Sequence, residues 1–522
     1  MTRTNVAERL YRITGEGIYR DSVILGDRPP TAQPLLAGGV LGQDSVQNLV
    51  YQGRLWWFWG DTNRAAYPLG NFAMSAATSD LPGLDPSIGV DLEYFAGEDG
   101  FSRKMCPIEG PGPVWLDGFV VVPDGRRDRM VAHYVRVESL ERRHEHGIAA
   151  WNDATETFEK VVQWPLEQRT EPMGHPLRVE SDGETWFYVT NPYPALRVRA
   201  TWEDVIDPAR YEAFTCLASG TPWDAKEPAI DRGDDGRPRW GWKRGIPTVG
   251  PQVEARALAR EDGWQHLTDV ETGKPVLGHG GSVCWNEHRR RWVMIAGEAW
   301  GRSMLGEIWY AEGDTPLGPW VYARRIVTHD DYSFYNVKQH PYFDEQGGRR
   351  IYFEGTYTAT FSGAKRRTPR YDYNQVMYRL DLDEVRVHLP APVYESGERL
   401  ATLEGVDRPA LAGAVVPFYA LPLDRASPGA GESRRGPDGR LSTGGPGEPV
   451  FRAIPAAGTE EGALAPLREY REGATGRRLY RTSSPGDGWE RSEGAVCLVW
   501  RSPRLDPPLD EMARPAGRTG ER

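Results

Sequence analysis

The sequence predicts an all-β fold, in which a five-bladed β-propeller is followed by a small C-terminal β-rich module. Three observations predict it: a hairpin pattern that recurs five times between residues 38 and 390, an aromatic content of 11% with 19 tryptophans, and turns rich in glycine and aspartate. Because a lone hairpin cannot bury its apolar face, similar copies must stack on one another. Radial stacking of small antiparallel sheets gives a propeller.

The first hairpin shows the pattern most clearly. Asp44 leads a short apolar strand, the turn contains Gly53, and the aromatic strand at 55–59 runs into Asp61. β-Branched and aromatic residues bounded by glycine and aspartate turns are typical of hairpins. The other four copies begin at Asp117, at His175, close to His279 and at His340.

A blade needs a second pair of strands, and candidates follow several hairpins. They are 147–151 with 158–164, 306–312 with 321–327, and 374–382 with 386–389. These pairs predict blades of four antiparallel strands.

The remaining segments complete the predicted domain plan. Residues 1–37 are expected to close the ring with a short strand inside 17–25, because joining the first and last blades removes exposed sheet edges. Within the propeller, 38–390, an insertion of short helices and loops is expected at about 195–275. The Pro-, Gly-, Ser- and Arg-rich stretch 391–450 predicts a linker. Residues 451–505 predict a small β module, and 506–522 a disordered tail.

Composition excludes several classes of partner. A formal net charge of -11 disfavours binding to nucleic acid. No apolar run approaches the ~18 residues that a membrane span requires. The four cysteines lack the spacing of a zinc site or a disulfide framework. The N-terminus lacks the apolar region of a signal peptide, which predicts a cytoplasmic protein as written, or a secreted one if a leader was removed.

The direction of the chain predicts where chemistry takes place. The first strand of every blade starts at one mouth of the central channel, and the second strand returns to that mouth. The residues expected there are Asp44, Asp117, His175, His279 and His340 at strand starts, and Asp61, Glu298 and Glu354 at strand ends. We therefore expect several acids and three histidines to face one funnel.

At this point the sequence resembles a known family. Asp44-Ser45-Val46 followed by an aromatic strand resembles the first blade of the five-bladed propeller glycosidases of glycoside hydrolase family 43. The stretch 306–311 with 318–320 is similar to the outer strands of that family and of its relatives in families 32 and 117. The resemblance covers roughly residues 38–390. It implies hydrolysis of a glycosidic bond in an oligo- or polysaccharide, with carbohydrate as the binding partner.

The resemblance also implies roles for individual residues. Asp44 corresponds to the general base of the family, and Asp117 to the aspartate that orients the substrate and tunes the acid. The family's general acid is a glutamate opening the third blade in a Glu-Gly-Pro context, whereas this chain has Gly174-His175-Pro176. The identity of the general acid is therefore open. The candidates are Glu298, Glu354, nearby Glu171, or an imidazole of His279 or His340 as in family 117.

Hydrolysis of a glycosidic bond needs an ionised carboxylate to activate water and a protonated group to supply the leaving oxygen. Acids crowded at one mouth raise one another's pKa, which allows such a pair to exist near neutral pH. Other side chains near the mouth are expected to bind substrate, the aromatic ones by stacking on sugar rings. They are Asp61, Arg64, Trp59, His175, Trp300 and Tyr357.

Two other functions fit the same residues. The chain predicts either a non-catalytic carbohydrate-binding propeller, with structural acids, or a metal-dependent sugar lyase that uses His279 and His340 with His175 around an ion. The hydrolase requires no cofactor. The alternative places one divalent ion, calcium or a similar metal, on the propeller axis.

Overall fold

The computed structural model describes residues 4–502 apart from 16–18, 65–66, 72–73, 126, 140–141, 169, 182, 223–228, 235, 237, 247–266, 369–371, 397–398 and 403–414, together with 514–515. Strands dominate this part of the chain. Its α-helices are the single turns Arg20–Ile24 and Trp202–Ile206. Its 3-10 helices are Ala37–Gly39, Pro208–Arg210, Pro341–Phe343, Gln346–Gly348 and Val385–Val387.

Five sheets, antiparallel except for one short parallel pairing in blade IV, surround a common axis as blades I to V, which confirms the predicted propeller. From the axis outward, blade I has strands Gln47–Tyr51, Arg54–Trp59, Ser75–Ser79 and Glu93–Tyr94, and blade II has Val114–Asp124, Arg127–Val137, Arg143–Asn152 and Thr157–Trp164. Blade III has His175–Ser181, Glu184–Thr190, Pro194–Arg199, Glu212–Thr215 and Gly241–Arg244, with Arg514–Pro515 against its innermost strand.

Blade IV has Gly278–Asn286, Arg291–Glu298, Glu307–Gly313 and Tyr322–Thr328, extended by Leu267–Asp269 and Pro275–Val276. Blade V has Ser333–Gln339, Arg350–Thr358, Asn374–Asp381 and, outermost, Glu8–Arg12. A small additional sheet contains Val40–Gln43, Thr62–Arg64 and Tyr67–Asn71.

The cores lie between neighbouring blades, and this explains the continuous apolar run at 55–59. Side chains alternate across a strand, so Trp56 and Phe58 pack toward blade II while Leu55, Trp57 and Trp59 pack toward blade V. Both faces of the sheet are covered, so both alternating sets are apolar. Trp59 is fully buried in this way. The prediction that Trp59 stacks on a sugar is therefore wrong.

The ring is closed by the N-terminus, through a different segment from the one predicted. Glu8–Arg12 pairs antiparallel with Asn374–Asp381, and Glu8 forms an ion pair of 2.8 Å with Arg379. The strand expected within 17–25 is wrong, because 20–24 form a helical turn and 16–18 lie outside the described residues. The outermost strand of blade V comes from this closure, so the strand expected at 386–389 is also wrong.

Blade V begins earlier than predicted. Its innermost strand is Ser333–Gln339, and the segment after His340 is the 3-10 helix Pro341–Phe343. His340 therefore lies at the far end of the innermost strand. Glu354 lies in the middle of Arg350–Thr358, opposite Lys338, and not at the end of its strand.

The C-terminal residues form one ten-stranded sheet. Its strands are Ala391–Ser396, Arg399–Ala401, Val415–Ala420, Gly431–Arg435, Leu441–Thr443, Glu448–Pro455, Leu464–Glu472, Arg478–Arg481, Trp489–Arg491 and Cys497–Arg501. The linker predicted at 391–450 is therefore wrong, because more than half of its described residues are in strands. Of the predicted tail at 506–522, only 514–515 are described.

The predicted insertion at 195–275 contains strands of blades III and IV beside the short helices. Of the residues in this insertion, 247–266 lie outside the described residues, and so does the short helix predicted there at 251–262. In the described chain, no helix combines the length and the hydrophobicity needed to span a membrane.

Candidate active site

The mouth of the propeller is shaped by one left-handed residue from each blade. They are Ser45, Gly118, Gly174, Gly280 and Asn336, all at positive φ. The ladder register shifts beside Gly118, Gly280 and Asn336, so these innermost strands carry β-bulges at the same end. Bulges bend a strand and redirect its side chains. Here they turn side chains and amides of adjacent blades toward one another.

Asp44 lies at this mouth and is bonded to two blades. Its Oδ1 accepts the Asp61 N–H at 2.9 Å, and its Oδ2 accepts the Tyr335 hydroxyl of blade V at 2.7 Å. A Cβ at Gly60 would lie 2.5 Å from Asp44 Oδ1, so only glycine allows this approach. Burial raises the pKa of Asp44, although hydrogen bonds to Tyr335, Tyr373 and the Asp61 amide oppose the rise.

Asp61 is the second carboxyl group of this pair. It is half-buried, and the Trp115 indole donates to its Oδ1 at 3.3 Å. Burial, and next the charge of Asp44, raises the pKa of Asp61 to about 7. Two neighbouring carboxyl groups with unequal hydrogen bonding titrate at different pH values. The hydrogen bonds to Asp44 and the raised pKa of Asp61 thus distinguish the two carboxyl groups.

Asp117 is held by the three neighbouring blades I, II and III. Its Oδ1 accepts from the Gln47 amide at 2.7 Å, from Gly118 N–H at 2.7 Å and from Gly174 N–H at 2.9 Å. Since Gln47 donates to Asp117, its Oε1 accepts from His175 Nδ1 at 3.0 Å. Burial raises the pKa of Asp117 to about 6, against these amides and the charge of Lys338.

Gly174 stands where the resembled family has its general acid, and the backbone there accepts only glycine. Its φ is +126°, and a Cβ would lie 2.2 Å from the carbonyl oxygen of Thr190. A glutamate at this position would require the backbone to move. The position instead contributes its N–H to Asp117.

Two of the other predicted acids have different surroundings. Glu298 is half-buried at the mouth end of blade IV, where its Oε2 accepts the Trp309 indole N–H at 2.8 Å and burial raises its pKa. Glu354 is fully buried, and its Oε1 is 3.5 Å from His340 Nε2. The prediction that Glu354 is catalytic at the mouth is wrong, because it lies deeper along the axis beside Lys338. Burial lowers the pKa of Lys338 to about 8.

The predicted substrate-binding residues separate into exposed and buried groups. Trp300 is 66% exposed, and Arg64 is partly exposed, paired with Asp99 at 3.0 Å and lying over Phe101. His175 is buried and bonded to Gln47, so it supports Asp117 from behind and does not face substrate. Tyr357 is also buried and stacks on Tyr332 with ring centroids 4.4 Å apart. The predicted substrate contacts of His175 and Tyr357 are therefore wrong.

The predicted pair of metal-binding histidines is not brought together. His279 is exposed, whereas His340 is buried against Trp57 and bonded through Nδ1 to Asn48 at 2.7 Å. In the part of the chain that the structure describes, neither residue belongs to a group of three His, Cys, Asp or Glu ligand atoms within 4.8 Å of one another.

Two residues that bond to Asp44 at the mouth were missed by sequence reasoning. Tyr335 and Tyr373 bond to Asp44, and the partly exposed Phe361 packs edge-on against Tyr335 with ring centroids 5.3 Å apart. Tyr335 lies near the start of the innermost strand of blade V, as Asp44 precedes that of blade I. Correct placement of blade V would have identified it.

No protein-family model matches the chain, and no curated protein matches it. Among solved structures, a Bacteroides ovatus protein named as a candidate hydrolase is 14% identical with a TM-score of 0.40, over 67% of this chain and 88% of its own. A family 43 enzyme from Xanthomonas citri, solved with xylotriose, is 12% identical with a TM-score of 0.32, over 70% and 92%. A family 43 β-1,3-galactosidase is 9% identical with a TM-score of 0.31, over 65% and 90%. Several structures similar to this chain are thus family 43 glycoside hydrolases, at identities and TM-scores too low to carry an assignment of activity.

Proposed function

We propose that this protein is a glycoside hydrolase whose carbohydrate substrate enters the mouth between Asp44, Asp61 and Asp117. One observation carries the proposal: Asp44 and Asp61 are adjacent, Asp44 accepts hydrogen bonds at both carboxylate oxygens, and burial together with the charge of Asp44 raises the pKa of Asp61 to about 7. The pair therefore offers an ionised carboxylate and a proton donor at one site, as glycosidic cleavage requires.

Each acid has a distinct role in this proposal. Asp44 is the general base, because its hydrogen bonds from Tyr335 and the Asp61 amide favour its ionised form. Asp61 is the general acid, since no carboxylate side chain fits at Gly174. Asp117 orients the substrate, because three donors already occupy its Oδ1. Trp300 and Phe361 supply exposed aromatic surface for sugar rings.

The first step of the test identifies the substrate. Purified protein is incubated with a panel of xylosides, arabinofuranosides, galactosides and their oligomers, and products are analysed for chain length and anomer. The solved structures similar to this chain include enzymes named for these sugars, which sets the composition of the panel.

Replacement of Asp61 by Asn is expected to reveal the proton donor through the leaving group. A strongly acidic phenol leaves as its phenolate without being protonated. Asp61→Asn is therefore expected to retain most activity on aryl glycosides of such phenols. On natural oligosaccharides it loses about 10²–10⁴-fold in kcat, the usual contribution of a general acid. The measurement is kcat across a series of aryl glycosides of different phenol pKa.

Asp117→Asn and Glu298→Gln are the matched comparisons. If Asp61→Asn lowers activity equally for all leaving groups, Asp61 is not the donor. If one of the other variants shows the leaving-group dependence instead, that residue has the role.

The pH dependence of kcat/KM provides an independent check. Asp61 is active when protonated, and its raised pKa means that activity falls as pH rises through about 7. Asp44 is active when ionised, so activity also falls on acidification. The activity that remains in Asp61→Asn is expected to show no decrease in kcat/KM as pH rises above 7. A wild-type profile that stays flat from pH 6 to pH 9 would contradict this assignment.

A further inference from the structure

A group of three metal-binding side chains lies beneath Asp117, between blades II and III. His133 and His146 come from the second and third strands of blade II, and Glu171 comes from the connection to blade III. The strand register aligns His146 with Val135, so His133 and His146 are diagonal neighbours on one face of the sheet. Among the described residues, no other set of His, Cys, Asp or Glu has three ligand atoms within 4.8 Å of one another.

The two imidazoles are spaced as ligands of one ion. His133 Nε2 and His146 Nδ1 are 3.1 Å apart. Tetrahedral zinc holds nitrogen ligands at about 2.0–2.1 Å, which places two such nitrogens about 3.3 Å from each other. An ion would therefore enter with a small movement of the rings.

The surrounding bonds already fix the tautomer of one histidine. His146 Nε2 lies 2.9 Å from the carbonyl oxygen of Pro165, which accepts only, so Nε2 carries the hydrogen and Nδ1 presents its lone pair. A bond from the remote ring nitrogen to a backbone carbonyl is the usual support of a metal-bound histidine. His133 then needs only to move its hydrogen from Nε2 to Nδ1, and it remains neutral. Trp164 packs against both rings and forms an apolar wall.

Glu171 supplies the third ligand, and the segment that carries it is held by hydrogen bonds from Arg143. Arg143 pairs with Glu171 Oε1 and also donates to the carbonyl oxygens of Leu166 at 2.8 Å and Gln168 at 2.7 Å. The Glu171 side chain is 15% exposed, which leaves a route from solvent. Two imidazoles and a carboxylate with one position left for water are a typical zinc ligand set.

We propose that His133, His146 and Glu171 bind one divalent transition-metal ion of the zinc type. The ion connects blade II to the segment that follows Glu171. Three residues further, Gly174 donates its N–H to Asp117, and Asp117 is the register partner of His133 in the adjacent strand. The ion thus holds in place the backbone that bonds Asp117. This site is separate from the carboxylates of the proposed reaction, so its test does not depend on hydrolase activity.

The test uses the full chain after removal of metals with a chelator. Zinc is titrated by calorimetry, and cobalt by the visible absorption that a tetrahedral site gives. We expect one tight site per chain and a higher melting temperature with zinc. His133→Gln and Glu171→Gln are each expected to weaken zinc binding more than about 100-fold, beyond the 10–100-fold effect of losing an outer hydrogen-bond partner.

His144→Gln is the matched control, because His144 lies on the same strand as His146 and outside the group of three ligands. It should bind zinc as the wild type does. The proposal is overturned if wild-type protein binds no zinc stoichiometrically, or if His133→Gln and Glu171→Gln both bind like His144→Gln. Circular dichroism of each variant verifies the fold, and Glu171→Gln, at a partly exposed position, serves where His133→Gln does not fold.

Discussion

Asp44→Asn is expected to lower kcat by about 10²–10⁴-fold on the substrate identified by the glycan panel, with little change in ligand affinity. The amide has the size of the carboxylate, so its oxygen can still accept the Asp61 N–H that Asp44 accepts at 2.9 Å. It cannot take a proton from water, and it removes the negative charge that raises the pKa of Asp61. The measurement is kcat together with the Kd of a product sugar.

Asp153→Asn is a suitable control for this variant. Asp153 lies in the turn after the third strand of blade II, where it accepts from Gln52 in a turn of blade I and from Trp151 at the end of its own strand. The activity of the Asp153→Asn variant should match that of the wild type. If the wild-type protein binds sugars and Asp44→Asn changes neither turnover nor affinity, the mouth is a binding site without chemistry. The non-catalytic propeller is then the correct reading.

The hairpins could be predicted because their signal is local. Alternation and aromatic runs, as at 55–59, are produced by burial between blades, and glycine and aspartate mark the turns. The pairing of Asp44 with Asp61 also follows from one hairpin, since its two strands meet at the mouth. Contacts within a blade were therefore accessible from the sequence.

Contacts between blades depend on register, and a local pattern does not specify it. Taking His340 as the start of blade V displaced that blade along the axis, which placed Glu354 and His340 at the mouth and concealed Tyr335. The His133 and His146 pair was likewise hidden, because its two members are 13 residues apart and meet only across a particular strand register.

The C-terminal error has a different cause. Glycine, proline, serine and arginine are typical of linkers, but they also form the turns and exposed faces of short strands. In 391–450 the apolar residues that reach the core are spread over several short strands, among them Val393, Phe418 and Leu441. Their burial depends on the later strands around Val499, so a window limited to the first segment gives no periodic signal.

Glu312→Gln is expected to destabilise the protein by about 3–5 kcal/mol, the cost of leaving buried charges unpaired. Glu312 in blade IV is buried and pairs at 2.6 Å with Arg425, which lies between two strands of the C-terminal sheet, at 3.3 Å with Arg291 and at 3.6 Å with Arg289. A neutral amide leaves these guanidinium groups without their shared counter-charge. The free energy of unfolding in urea, followed by tryptophan fluorescence, measures the change.

The pH dependence of stability separates this charge effect from a packing effect. Burial tends to raise the pKa of Glu312, but Arg425, Arg291 and Arg289 outweigh it and lower the pKa to about 2. Since the folded-state pKa lies below the unfolded value, the stabilisation is present above about pH 4.5 and is lost as pH falls toward 2. Glu312→Gln should lack this acid-dependent part of the stability.

Asp330→Asn provides the matched comparison, because it breaks an exposed ion pair. The side chain of Asp330 is 63% exposed and that of its partner Arg302 is 67% exposed. Such a pair contributes about 0–1 kcal/mol. If Glu312→Gln costs no more than Asp330→Asn, the arginines around Glu312 are balanced by other groups, and this cluster does not hold the C-terminal sheet to blade IV. A large difference would show that one buried carboxylate joins the two parts of the chain, since Arg425 lies between two strands of the C-terminal sheet.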